Sequence, residues 1–144
     1  MNRIHNTDPN DIVSRCLRTN EASALELPEI QFALTFIARH IDQELTVKQI
    51  ADELGISRRT LELRFRTHLK CTVGNMLTRL RVAAACQLLE ETELPASDIS
   101  VDVGFASVSS MANALRRHVD MTATEIRKGH RAGRIQTAGL DHPQ

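Results

Sequence analysis

A pattern that occurs twice, about fifty residues apart, constrains this chain more than any other feature of it. Ile50-Ala51, two further residues and Leu54-Gly55-Ile56 align with Ile99-Ser100, two residues and Val103-Gly104-Phe105 at an offset of 49. One extra residue in the second turn moves the offset to 50, where Leu61, Phe65 and Thr72 align with Met111, Leu115 and Thr122. Each copy reads as a short helix, a turn holding glycine, and a second helix of about three turns. Two short helices that cross steeply need a small residue where they approach (Ala51; Ser100) and a glycine free to take positive φ. They also need apolar side chains that lock the second helix across the first. A plain helical hairpin shares parts of this pattern. Its recurrence, with Ser57 and Ser107 placed to cap the second helices, points to two helix-turn-helix units.

The remaining order is helical as well, because period-two apolar runs and Asn-Gly or Asp-Gly hairpin signals are missing. Pro28 suits a first helical turn, and Ile30, Ala33, Leu34, Ile37, Ala38 and Ile41 follow as one stripe, giving a helix from about Glu29 to Asp42. Thr46 with Gln49 forms a capping box for a helix that Gly55 stops. Thr72 opens a longer helix over about Val73 to Glu91, with Met76, Leu77, Leu80, Ala84 and Leu88 at helical spacing. About eighteen residues at 1.5 Å each span about 27 Å, enough with the flanking turns to hold two helices near the roughly 34 Å of one DNA turn. A short helix follows over about Ala96 to Val103, and Thr122 with Glu125 caps the last one. The expected fold is all-α: about seven helices forming two helix-turn-helix subdomains joined by a long linker helix. The first subdomain with the linker helix covers 28–91, the second 92–132, and a polar tail 133–144. Residues 1–27 lack clear periodicity and read as a linker or the remnant of an upstream domain, with Ile12 and Val13 fit for a short strand.

Net charge is zero, from 18 Lys and Arg against 18 Asp and Glu, which by itself does not favour a phosphate partner. Charge is nevertheless segregated into blocks. Ser57 to Glu90 holds seven basic and two acidic residues and Met111 to Arg134 six and two, whereas Glu91 to Ser110 carries four acids and no base. A phosphate backbone feels that local field. With Leu61, Phe65 and Leu69 inward, the outward face of the third helix carries Arg59, Glu62, Leu63 and Arg66, with Arg58 at its start. In the second copy Ser109, Ala112, Asn113 and Arg116 face out. Arg pairs bidentately with guanine and Asn with adenine in the major groove, so these nine are the base-reading candidates. Ser57, Arg79, Arg81, Ser107 and Arg117 are the phosphate-contact candidates. The first unit, with three arginines, is expected to be the stronger reader, giving an asymmetric site.

Cys16, Cys71 and Cys86 are odd in number and lack metal-ligand spacing, so no disulfide framework, zinc site or other cofactor is expected. The start of the chain lacks a signal-peptide pattern and no run approaches membrane-spanning length, so a cytoplasmic protein without a membrane partner is expected.

The run from about Ile30 to Lys128 resembles the DNA-binding domain of the AraC/XylS family. The likeness rests on the Gln49–Phe65 unit, Arg79-Leu80-Arg81, Ala85-Cys86-Gln87-Leu88-Leu89, Ile99 to Leu115 with Gly104-Phe105, and Thr122 to Arg127. Ser57 to Glu62 and Leu25 to Ile30 are most similar to the xylose-regulator type. The resemblance implies sequence-specific binding of double-stranded DNA, transcription regulation (as an activator or a repressor) in contact with RNA polymerase, and an effector, a sugar, bound by a domain absent from this chain. The family more often has Arg or a polar residue at Leu63, Arg at Asn113, Phe at Met111 and Leu115, Pro at Val73 and Ala123, and glycine at Lys70 and Asp120. A helix-turn-helix scaffold turned to protein binding is the alternative, motivated by zero net charge and Leu63. An alkyl-transfer enzyme needs clustered thiols, yet only Cys16 lies upstream of the domain. His5, His40, His68, His118, His130 and His142 are scattered, so no enzyme is expected.

Overall fold

In the computed structural model, which describes residues 8–131, every ordered element is a helix. They run α1 (Pro9–Cys16), a 3-10 helix (Thr19–Glu26), α2 (Pro28–Arg39), α3 (Val47–Leu54), α4 (Arg58–Leu69), α5 (Val73–Glu91), α6 (Ala96–Asp102), α7 (Val108–Val119) and α8 (Ala123–Arg131). The all-α expectation holds. None of the described helices is long and apolar enough to cross a membrane.

The polar residues ahead of each apolar stripe set where the helices begin. Thr46 Oγ1 accepts the Gln49 N–H at 3.1 Å while Gln49 Oε1 accepts the Thr46 N–H at 2.8 Å. Thr122 and Glu125 repeat that reciprocal pair at 3.1 and 2.9 Å. Ser57, Thr72 and Ser107 each accept the N–H three residues on, of Thr60, Asn75 and Ser110. Four orphan donors at each helix start make such partners worth about 1 kcal/mol apiece.

Residues 9–26 depart from the linker or strand expected there. Asp8 caps α1, its Oδ1 accepting the Asn10 N–H at 2.9 Å, with Pro9 in the first turn. Ile12, Val13 and Cys16 are buried on one side of α1, which packs on α2 and α5. The β-branched pair suits a strand by propensity, but burial on a helical partner overrides so weak a preference. The next segment escapes a search at 3.6-residue spacing because a 3-10 helix repeats every three residues. Its inward residues are Glu21 and Ala24. One apolar core runs from Ile12 through both repeated units to Ile126. Residues 1–7 and the polar tail expected at 133–144 lie outside the described residues.

Helix α5 has the bounds expected of the linker helix, and besides joining the two units it is a core element. It packs against α1, α2, α4, α6, α7 and α8. Met76, Leu80, Ala84 and Leu88 are buried as the stripe requires, and so is the continuous run from Val82 to Cys86. A stretch of helix apolar on all sides belongs inside a fold, and three alanines in that run let neighbouring backbones come close.

Candidate nucleic-acid interface

Helix α4 buries Leu61, Phe65 and Leu69 and leaves Arg58, Arg59, Leu63 and Arg66 exposed. Residues 59, 63 and 66 fall within one turn-to-turn stripe at 100° per residue. Helix α7 buries Met111, Ala114, Leu115, His118 and Val119, and exposes Ser109, Ala112, Asn113 and Arg116, with Arg117 beside them. Displacing the first stripe by 50 residues reproduces the second, so Arg59, Leu63 and Arg66 occupy the positions of Ser109, Asn113 and Arg116.

Three candidates are engaged inside the fold. Glu62 is half-buried, and its Oε1 accepts the Val73 N–H at 3.0 Å, capping the start of α5. One of its two carboxylate oxygens is thus engaged at the helix start. Arg79 is not on the surface at all: 1% of it is accessible. Its Nη2 donates to Glu21 Oε1 at 2.8 Å and to the Cys16 carbonyl at 2.9 Å, and its Nη1 to Glu21 Oε2 at 3.3 Å. A guanidinium enclosed this way anchors the 3-10 helix to α5 and cannot reach phosphate. Sequence spacing could not reveal it, because its acidic partner lies 58 residues upstream.

Arg81 is also turned inward. Its Nε donates to the Ile41 carbonyl at 3.3 Å and its Nη2 to the Gln43 carbonyl at 2.9 Å, satisfying the turn after α2. Burial lowers its pKa. The same place receives the second unit: a Cβ at Gly104 would lie 2.2 Å from the Ile41 oxygen and 2.8 Å from Arg81 Nε. Gly104, at φ +90°, is therefore required for backbone conformation and for close approach of the two units. Gly55, at φ +70°, meets only the conformational need.

Ser57 and Ser107 remain exposed at the starts of α4 and α7, but their hydroxyl oxygens serve as caps. Each hydroxyl bonds the side-chain oxygen three residues on, Thr60 Oγ1 at 2.9 Å and Ser110 Oγ at 3.1 Å. Of the arginines not singled out from sequence, Arg64 pairs with Glu29 and locks α4 to α2. Arg127 donates to the carbonyls of Leu89 and Leu94, tying α8 to the end of α5. Arg15 forms a two-pronged pair with Glu90. The basic blocks of the sequence thus divide into structural guanidiniums (Arg64, Arg79, Arg81 and Arg127) and an exposed set that includes Arg58, Arg59, Arg66, Arg116 and Arg117.

The thiols are poor nucleophiles. Burial pushes Cys16 and Cys86 up to about 12 and also raises Cys71.

Comparison with known proteins matches this arrangement. The helix-turn-helix domain family matches residues 50–129. The chain is 34% identical over 98 residues to the regulatory protein SoxS of Escherichia coli, spanning 68% of this chain and 92% of SoxS. A transcriptional regulator from Chromobacterium violaceum, of the AraC-type DNA-binding kind, superposes with a TM-score of 0.72 at 29% identity, covering 74% of this chain and 96% of that one. The DNA-binding domain of AdpA, a global transcriptional factor solved in complex with a target DNA, superposes at 0.67 with 25% identity and the same coverage.

Proposed function

This chain belongs to the AraC-type helix-turn-helix family, and on that premise we propose that it regulates transcription by laying α4 and α7 into successive major grooves of duplex DNA. The observation that carries the reading is the pair of serine-capped helices, both packed against α5, that expose stripes in the same register, 59-63-66 and 109-113-116. Arg59 and Arg66 suit guanine and Asn113 suits adenine. Arg58 and Arg116 remain further base-reading candidates beside them, and Arg117 supplies charge to the phosphates, together with the backbone N–H groups at the helix starts. Arg79 and Arg81 are replaced in that role. The first unit is the richer in cations, so the site is asymmetric, with one well-specified half.

Selection of bound duplexes from a random pool tests the reading. Arg59→Ala and Asn113→Ala are expected to change which sequences are preferred. Arg117→Ala is expected to weaken all of them alike and to lower the salt slope by about one. Equal retention of all duplexes, indifferent to Arg59→Ala and Asn113→Ala, would overturn it. The finer placement, a sugar-responsive parent of the xylose-operon type acting through RNA polymerase, rests on the Ser57–Glu62 and Leu25–Ile30 runs. It requires the selected sequence to occur upstream of pentose-utilisation genes and polymerase to be recruited there.

A further inference from the structure

We infer that Leu63 is a specificity residue that reads the 5-methyl group of a thymine, an inference resting on the placement of α4 in the major groove. Leu63 is 61% exposed, and among the large apolar side chains described only Val101 is more so. The site is not a continuation of the core: Leu61 and Phe65 on either side of it are buried, and Leu63 points away with the base-reading stripe. One turn before it stands Arg59 and one turn after it Arg66, both exposed, so two cations bracket the apolar group at a surface matched to a polyanion. The acid that precedes it turns one oxygen to the start of α5, where Glu62 accepts the Val73 N–H.

A leucine offers no hydrogen bond to a base edge. The apolar feature that the major groove presents on a standard base is the thymine methyl, so contact with a base makes thymine the match. The register supports the pairing from the other unit. Asn113 occupies the position equivalent to Leu63, and an amide there suits adenine. The two units thus read the same kind of base pair at equivalent positions by opposite chemistry, one through the thymine methyl and one through the adenine edge.

Uracil substitution isolates the methyl, since it leaves every hydrogen-bonding group of the pair in place. Each thymine of a duplex selected by the full chain is replaced in turn by uracil, and Kd is read by fluorescence anisotropy for the wild type, Leu63→Ala and Arg59→Ala. One thymine in the half bound by α4 is expected to show a loss of about fivefold with the wild type, the scale of one buried methyl. Leu63→Ala is expected to bind the thymine duplex about as weakly as the wild type binds the uracil one, and to show no further loss on uracil. Leu63→Arg is expected to move the preference at that base pair towards guanine. Leu63 is exposed, so none of these variants disturbs the core, and circular dichroism checks that they fold. A selected sequence that depends on Arg59, yet shows no uracil loss or the same loss in Leu63→Ala, overturns the role of Leu63 and spares the placement of α4. No selected sequence, or one indifferent to Arg59→Ala, overturns both, and capture of a protein through Leu63 would then be the surviving use of that side chain.

Discussion

Glu21→Ala removes the carboxylate that neutralises Arg79 and leaves a guanidinium enclosed by protein. The two side chains are 4% and 2% accessible, and Arg79 Nε already lacks a partner. After the substitution no carboxylate faces the guanidinium, which keeps its bond to the Cys16 carbonyl and its contact with the Cys71 thiol. Breaking one side of a buried pair costs about 3–5 kcal/mol, a large part of the roughly 5–15 kcal/mol that holds a domain folded. For a chain of this size that lowers Tm by about 10–20 °C. Urea unfolding followed by far-ultraviolet circular dichroism reads the loss as a lower midpoint with an unchanged slope. The double variant Glu21→Ala/Arg79→Met, which removes both charges, is expected to recover most of it. A stability for Glu21→Ala within about 0.5 kcal/mol of the wild type, or a double variant no better than the single one, would refute the reasoning. The pair also has a pH signature. Burial works against the Glu21 charge, but hydrogen bonds from Arg79 and from the Arg18 N–H outweigh it and hold the carboxyl below its ordinary value of 4.5. The pair's contribution is therefore complete above that value and is lost as pH falls through the lower folded one. Glu21→Ala is expected to flatten that acid limb.

Gly104→Ala would place a methyl 2.2 Å from the Ile41 carbonyl at φ +90°, and is expected to cost about 3 kcal/mol or more in urea melts, whereas Gly55→Ala, with open space around it, costs about 1–2. Lys70 ends α4 in the left-handed region at φ +58°, so Lys70→Gly is expected to stabilise by about 0.5–1 kcal/mol in thermal melts, less the exposed bond from its Nζ to the Thr67 carbonyl. His118 is held below 6.5 by burial first and then by the charges of Arg117, Arg79 and Arg18. The unfolded chain therefore protonates at this residue before the folded one does, and stability falls as pH drops through 6.5 towards the folded value. His118→Gln is expected to remove that slope from a pH series of melting temperatures.

Legibility followed distance along the chain. The stripe of α2, the caps at Thr46, Ser57, Thr72, Ser107 and Thr122, and the bounds of α5 depend on neighbours three or four residues away, and each was present in the order of residues. The substitution of Lys70 and Asp120 for the family's usual glycine was equally local. Both sit at positive φ, where glycine carries no Cβ penalty. The first segment was harder to see. Asp8-Pro9 is a local helix signal that the broken periodicity around it obscures, and the 3-10 repeat of the following residues answers to a period of three.

The repeat at an offset of 49 to 50 determined by itself the two helix-turn-helix units, their capped second helices and the faces those helices could show to DNA, because each unit is built from short-range spacing. What only the tertiary structure decided is which charges are available on those faces. Arg59 and Arg79 look alike in sequence, and a solvated and a buried guanidinium have the same local pattern. The difference lies in Glu21 and the Cys16 carbonyl, brought to Arg79 from about sixty residues upstream when α1 and the 3-10 helix close over α5. Arg81 likewise takes its role from carbonyls 38 and 40 residues away. Helical period records which way a side chain points, and only packing settles whether water or another part of the chain is there to meet it.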